Sequence, residues 1–176
     1  MISRFENIKQ LFQIEQIVQQ RKDLALISAP KEYIVSLITH LRDTDGYKHL
    51  VLLTAVDWIE KNQFQLSYIL NNPSVKHDVI VRTILNREEA TMTSIHHLWE
   101  HAATYQRELR EMFGIDFPSS PRVDKPVMLE GWDNIPPYRR DFDTKKYSEE
   151  TYFPRPGRET NDPKEYMKKK MYPDEV

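Results

Sequence analysis

Four charged residues crowd one short stretch of the chain: Arg107, Glu108, Arg110 and Glu111. On a helix, Arg107 and Glu111 stand at i,i+4. They can then pair with each other on a solvated face, worth about 0.2–0.5 kcal/mol. They can equally present a charged patch that fixes a second protein in register through charge-assisted hydrogen bonds. His97 and His101 share the same spacing, with His96 adjacent and Glu100 between them. Two histidines so placed can hold a metal ion, but the His-Glu-x-x-His order of zinc peptidases is absent and no third ligand is identifiable. The pair therefore reads as ordinary helix residues. Asp57, closing an apolar run, can be a strand-end cap, a partner contact or a buried acid with a raised pKa. Four scattered glycines (Gly46, Gly114, Gly131, Gly157) exclude a glycine-rich phosphate loop, and no Gly-x-Ser-x-Gly element occurs. With no cysteine, thiol catalysis, disulfides and thiolate-held iron–sulfur clusters are excluded within this chain. Catalysis is left without a candidate site.

The elements that must position these residues follow from periodicity. Ile8, Leu11, Phe12, Ile14, Ile17 and Val18 are spaced as on one helix face. A short strand at Leu24–Ser28 follows. Pro30 then suits the first turn of a helix whose stripe is Ile34, Leu37, Ile38 and Leu41. His49–Trp58 is a nearly continuous apolar strand, Phe64–Leu70 alternates, Asn71–Ser74 turns, and His77–Leu85 returns antiparallel. Thr93 or Ser94 would cap a last helix, carrying Ile95, Leu98, Trp99 and the charged cluster to a stop at Gly114. The expected fold is α+β: a small, mostly antiparallel sheet of four strands with helices on one face.

Nine of the eleven prolines fall at or after Pro118, which divides the chain into a core, residues 1–117, and an extended proline-rich arm, residues 118–176. The arm holds twelve basic and twelve acidic residues, and the whole chain carries a net charge of −2, against the positive excess of a nucleic-acid binder. It is studded with aromatics, among them Trp132, Tyr138, Phe142, Phe153 and Tyr166, unlike a disordered tail. Such spacing predicts a protein-docking strap, residues 121–142 partly on the core and 145–176 mainly on partners. Pro154–Arg158 reads as extended and Pro163–Met171 as a short helix. No run of 18 apolar residues and no signal-peptide layout is present, so a chain on the cytoplasmic side is expected.

Four segments carry a resemblance. Arg107, Glu108, Phe113, Gly114 and Ile115 match the signature of the 30 kDa subunit family of respiratory complex I, Glu-Arg-Glu, two residues, Asp, two apolar residues, Gly-Ile. Trp132 and Pro137-Tyr138-Arg139-Arg140-Asp141-Phe142 resemble that family's Trp and its Pro-Leu-Arg-Lys-Asp-(Phe/Tyr) element. Thr54-Ala55-Val56-Asp57-Trp58 resembles its Thr-Ala-Val-Asp-(Tyr/Trp) strand. Departures are Gln106 for the first Glu, Glu111 for the Asp, and Ser119-Ser120-Pro121 where Gly-His-Pro is usual. The resemblance implies a cofactor-free, non-catalytic subunit in the peripheral arm of a complex I-like oxidoreductase. It would be a peripheral protein on the cytoplasmic side of the membrane, beside a catalytic large subunit and an iron–sulfur small subunit. Those partners would hold the iron–sulfur clusters and, in an energy-converting hydrogenase, nickel–iron. The complex implied is an energy-converting hydrogenase or an NADH or ferredoxin dehydrogenase, and divergence and Lys/Glu content lean toward a hydrogenase-type or related complex. The interface it implies is Arg107, Glu108, Glu111, Trp132, Tyr138, Arg139, Arg140, Asp141 and Phe142. The rival reading is a free-standing adaptor binding an unrelated protein through the arm.

Overall fold

The structure is a computed structural model that describes residues 2–152. Pro154–Arg158 and Pro163–Met171, read above as extended and helical, lie outside the described residues. The elements run α1 (Ile2–Ile8), β1 (Gln16–Arg21), β2 (Leu24–Ser28), α2 (Lys31–Asp43), β3 (His49–Trp58), β4 (Gln63–Asn72), β5 (His77–Asn86), α3 (Ala102–Phe113) and α4 (Thr144–Tyr152). The described residues divide into two compact units, one ending at Arg140 and the other beginning at Asp141.

The strands form one five-stranded sheet in the order β1-β2-β5-β4-β3. The fold is α+β as expected, but the sheet is mixed rather than mostly antiparallel. Direction follows from counting reversals. Helix α2 reverses the chain after β2, so β3 restarts in the direction of β2 at the far edge. Two hairpins then bring β5 back alongside β2 in the same sense, pairing Leu24 with Asp78 and Ser28 with Arg82 in parallel. The fifth strand is the other correction. Ile17 and Val18 do not continue a helix; they pair with Ile27 and Leu26 in a hairpin turned at Lys22-Asp23. Positive φ at Gln13 ends the opening helical segment before it reaches them.

The core lies on one face of the sheet. Phe64, Leu66, Tyr68 and Leu70 of β4 and Val79 and Val81 of β5 pack against Ile34, Leu37, Ile38 and Leu41 of α2, all fully buried. Each such side chain contributes about 1.5–3 kcal/mol by leaving water. Tyr68 is buried with its hydroxyl lacking a hydrogen-bond partner among the described residues, and burial pushes its phenol pKa upward. Gly46, at φ +78°, turns the chain out of α2. A Cβ there would come within 3.0 Å of the Asn72 amide, which donates to the Asp45 carbonyl at 2.8 Å.

The last helix of the first unit starts later than the sequence predicts. From Thr93 to His101 the chain makes separate turns, and α3 begins only at Ala102. Tertiary contacts hold these turns: Arg42 donates to the Leu98 carbonyl at 2.9 Å, and the Trp99 indole to the Lys48 carbonyl at 2.8 Å. Gly114, at φ +80°, ends α3, its N–H reaching the carbonyls of Arg110 and Leu109.

Candidate functional site

Helix α3 buries Ala102, Gln106, Leu109, Met112 and Phe113, which leaves Arg107 and Glu111 on an adjoining face. They do not pair with each other. Arg107 donates from Nε to the Lys125 carbonyl (3.2 Å) and from Nη2 to the Pro126 carbonyl (2.8 Å). One turn on, the Glu111 carboxylate accepts the successive backbone N–H groups of Val127 (2.9 Å), Met128 (3.1 Å) and Leu129 (2.8 Å). A basic fork thus takes two carbonyls and an acid takes the next three amides. Five backbone groups of residues 125–129 are satisfied by two side chains one helical turn apart. Glu108 is half-buried and has no hydrogen bond or ion pair among the described residues.

Beyond the clamp the strap lies on the core. The Trp132 indole donates to the Ile135 carbonyl at 3.1 Å, closing a tight loop. Tyr138 donates its backbone N–H to the Met112 carbonyl at 3.0 Å and sets its ring edge-on to Phe113, with centroids 5.7 Å apart. The Arg139 guanidinium sits 5.9 Å from the Phe64 ring centroid. What the strap displays outward is apolar: Met128 is 66 % exposed, Tyr138 57 %, and Val127 and Ile135 about two-fifths.

The strap ends on Asp57, whose carboxylate is buried at the end of β3. Arg87 grips it with two hydrogen bonds of 2.8 and 3.0 Å, and the backbone N–H of Arg140 adds a third at 2.9 Å. Of the three roles open to Asp57, the geometry is that of a strand-end fastener. The Arg140 side chain turns out to Glu60 and holds that exposed carboxyl below its ordinary range. Asp141 and Phe142 belong to the second unit, where the Phe142 and Tyr147 rings meet at a tilt with centroids 5.4 Å apart and Asp143 caps α4 through the Lys146 N–H at 2.9 Å. Sequence reasoning missed Arg87 altogether. Its only signal was a basic residue just past a strand that pairs near Asp57.

Two departures from the family pattern meet in space. The Gln106 amide oxygen, fully buried, accepts hydrogen bonds from Ser94 (2.8 Å) and from Ser120 (2.7 Å). Where an acid and a histidine are usual, this chain has a neutral amide and a hydroxyl. The Gln106 Nε2 is left without a partner among the described residues. The histidines go separate ways. His96 Nδ1 meets Ser94 at 3.0 Å, and His101 Nε2 meets the Leu50 carbonyl at 3.1 Å. His97 and His101 precede α3, so the helical spacing that could share a metal is not realised. Among the described residues there is no group of three metal-ligating side chains.

An α+β layer with a clamped strap, and with motif residues at the clamp, defines a family, which comparison identifies directly. The chain belongs to the 30 kDa subunit family of the respiratory-chain NADH dehydrogenase, whose sequence model matches residues 27–148. An NADH-quinone oxidoreductase subunit of Citrifermentans bemidjiense is 30 % identical over 127 residues, 72 % of this chain and 78 % of that protein. The NADH-quinone oxidoreductase C/D 2 protein of Aquifex aeolicus is 29 % identical over 138 residues, 78 % of this chain. The match spans only 23 % of that longer polypeptide, and 22 % of the corresponding C/D protein of Hydrogenobaculum. Among solved structures, a chain of the archaeal membrane-bound sulfane sulfur reductase, a respiratory membrane complex, superimposes with a TM-score of 0.73 at 22 % identity. It covers 91 % of this chain and 98 % of its own. The Nqo5 trypsin-resistant fragment gives 0.58 at 20 % identity, over 68 % and 97 %. Both likenesses are of fold. Among the described residues no helix is long and apolar enough to cross a membrane.

Proposed function

We propose that this chain is a non-catalytic, cofactor-free subunit in the peripheral arm of a membrane-bound, complex I-like oxidoreductase. It would hold a catalytic large subunit and an iron–sulfur small subunit together on the cytoplasmic side of the membrane. The observation that carries the reading is the family match over residues 27–148, joined to the C/D relatives. In those proteins the counterpart of this chain is one part of a single longer polypeptide, so the remainder is its standing neighbour. The absence of cysteine supports a chain past which electrons run rather than through it. The clamped strap supports docking: its backbone is fixed before any partner arrives, which lowers the entropy lost on binding. Arg107, Glu108, Glu111, Trp132, Tyr138, Arg139, Arg140, Asp141 and Phe142 are the proposed interface region. Within it the motif charges shape the strap and the apolar side chains meet the partner. Divergence from the usual signature supports a hydrogenase-type complex.

The test is affinity purification of the tagged full chain from native membranes, with native mass spectrometry and metal analysis. A large subunit and an iron–sulfur subunit should co-purify in fixed ratio, and nickel-ligating cysteines in the former would fix the complex type. A chain that runs alone would overturn the proposal.

A further inference from the structure

Core residues occupy one face of the sheet; the alternate residues of each strand form the other. There the pairing register aligns Leu52, Ile69, Ile80 and Leu26 in one aliphatic row across four strands. Val56 and Ile84, 41 % and 45 % exposed, lie further along β3 and β5. Between the two apolar sets stands Arg82, flanked in register by Ser28 and Ser67. Leu26 is buried and Ile69 and Ile80 are half-buried, yet none of the three belongs to the core cluster, to which α1, α2 and α3 contribute their buried side chains.

Arg82 is half-buried, yet its side chain has no hydrogen bond or ion pair among the described residues, and its Nε is sealed from solvent without an acceptor. A guanidinium is all donor, so a buried nitrogen with nothing to donate to is costly. The acids around it do not serve. Asp78, on the same face, takes the Asn71 amide at 2.7 Å. Glu15 and Glu32, which border the adjoining cleft of about 510 Å³, are exposed and make no ion pair with it.

We propose that this face is a second docking surface, and that its occupant is a partner subunit bringing an apolar patch with one carboxylate that closes on Arg82. Charge selects that occupant. A second copy placed face to face would set one unpaired guanidinium against another. An anionic bilayer selects clusters of basic residues, whereas here Arg82 alone sits among the aliphatics, and at the rim one exposed cation, Lys31, is balanced by the acids Glu15 and Glu32. An aliphatic row around a single desolvated cation fits an interface core with one buried ion pair. The inference rests on the subunit reading, and the experiment separates the two.

A photo-crosslinking amino acid is placed at Ile80 on the sheet face and, in parallel, at Met128 on the strap, in the full chain within native membranes. The expected result at Ile80 is an adduct to a subunit of the same complex, on a peptide containing Asp or Glu. Arg82→Glu should then cut recovery of that subunit by at least ~10-fold, and a Lys in place of the crosslinked acid should restore it. Arg82→Met should lower recovery while leaving the thermal midpoint of the isolated chain unchanged or raised. A merely structural arginine would lower that midpoint, which would overturn the proposal. An adduct at Met128 with none at Ile80 would overturn it too and leave the subunit reading standing. So would an Ile80 adduct to a second copy or to lipid. Silence at both positions would remove both.

Discussion

Replacing Glu111 with Ala tests the clamp where it is most specific. Three backbone N–H groups lose their shared acceptor, at 2.8–3.1 Å in the native chain. Hydrogen bonds to a charged group are worth about 1.5–3 kcal/mol each when well shielded. Glu111 is only half-buried, water can replace part of the loss, and the three bonds share one carboxylate. A local cost of about 2 kcal/mol follows, well under the sum of the three. Amide hydrogen exchange reads it residue by residue. At about 1.4 kcal/mol per decade, the amides of Val127, Met128 and Leu129 should exchange roughly 30-fold faster in Glu111→Ala. Amides of β4 should be unchanged, since the strap opens locally. Arg107→Ala should give a similar effect through the carbonyls of Lys125 and Pro126, and the double variant should cost less than the sum, because losing either grip already loosens the same five residues. Native amides at 127–129 that already exchange at the unprotected rate would refute the clamp. So would a Glu111→Ala effect spread evenly over the core.

Asp57→Asn should destabilise the chain by about 2–3 kcal/mol in urea unfolding, because it takes the charge from a buried carboxylate that accepts two hydrogen bonds from Arg87, whose side chain is only 8 % exposed, and one from the Arg140 N–H; a change below about 1 kcal/mol would count against the fastener. Gln106→Glu should lower the unfolding midpoint at neutral pH, since a buried carboxylate would face two hydroxyls and no cation, and the loss should shrink in acid as the new group protonates. Adding Ser120→His should recover part of it, and no recovery would show that the two positions are not coupled. Tyr68→Phe removes a buried hydroxyl with no partner among the described residues and should leave stability at neutral pH unchanged or slightly raised. The Tyr68 phenol pKa is raised in the folded state, so its contribution is fully present below the unfolded value near pH 10 and lost as pH climbs toward the folded one. Wild type should therefore lose more stability above about pH 10 than the Phe variant; parallel curves in alkaline melts would contradict this.

What could be read from the sequence tracks how local its cause was. The α2 stripe was legible because Ile34, Leu37, Ile38 and Leu41 follow one period and one face of the core decides them. Strand β4 was legible from its alternation and β3 and β5 from their apolar runs, although the run in β3 suggests burial on both faces and the structure leaves Val51, Leu52 and Val56 exposed on it. The β1 hairpin was not. Ile14, Ile17 and Val18 fit a helical spacing as well as a strand, and its Lys22-Asp23 turn lacks the glycine or asparagine that marks such turns. Ile95, Leu98 and Trp99 imitate a helix face too, but their conformation is decided by Arg42 and Lys48, some fifty residues away. Sheet polarity depended on a parity that no single segment carries. At the site, Arg107 and Glu111 were visible as residues, while their targets were not. The groups they hold are backbone amides and carbonyls, which every sequence has and none advertises.

That last point changes how the motif's charges work. Read as letters, Arg107 and Glu111 invite a picture of ions facing a partner across an interface. Their bonds instead run inward to the strap, and Asp57 and Arg87 hold its far end the same way. Replacing the usual acid at Gln106, together with the usual histidine at Ser120, removes a charge from the buried face of α3, while the clamp keeps both of its charges. At Gln106 a neutral hydrogen bond stands in for an ionic one, whereas at Glu111, itself a departure from the usual Asp, a carboxylate still serves three amides at once. A partner approaching this region would then meet Val127, Met128, Ile135 and Tyr138, the apolar side chains that the clamp pushes into solvent. Binding there would gain its energy from those side chains, and its fixed geometry from charges the partner need not touch.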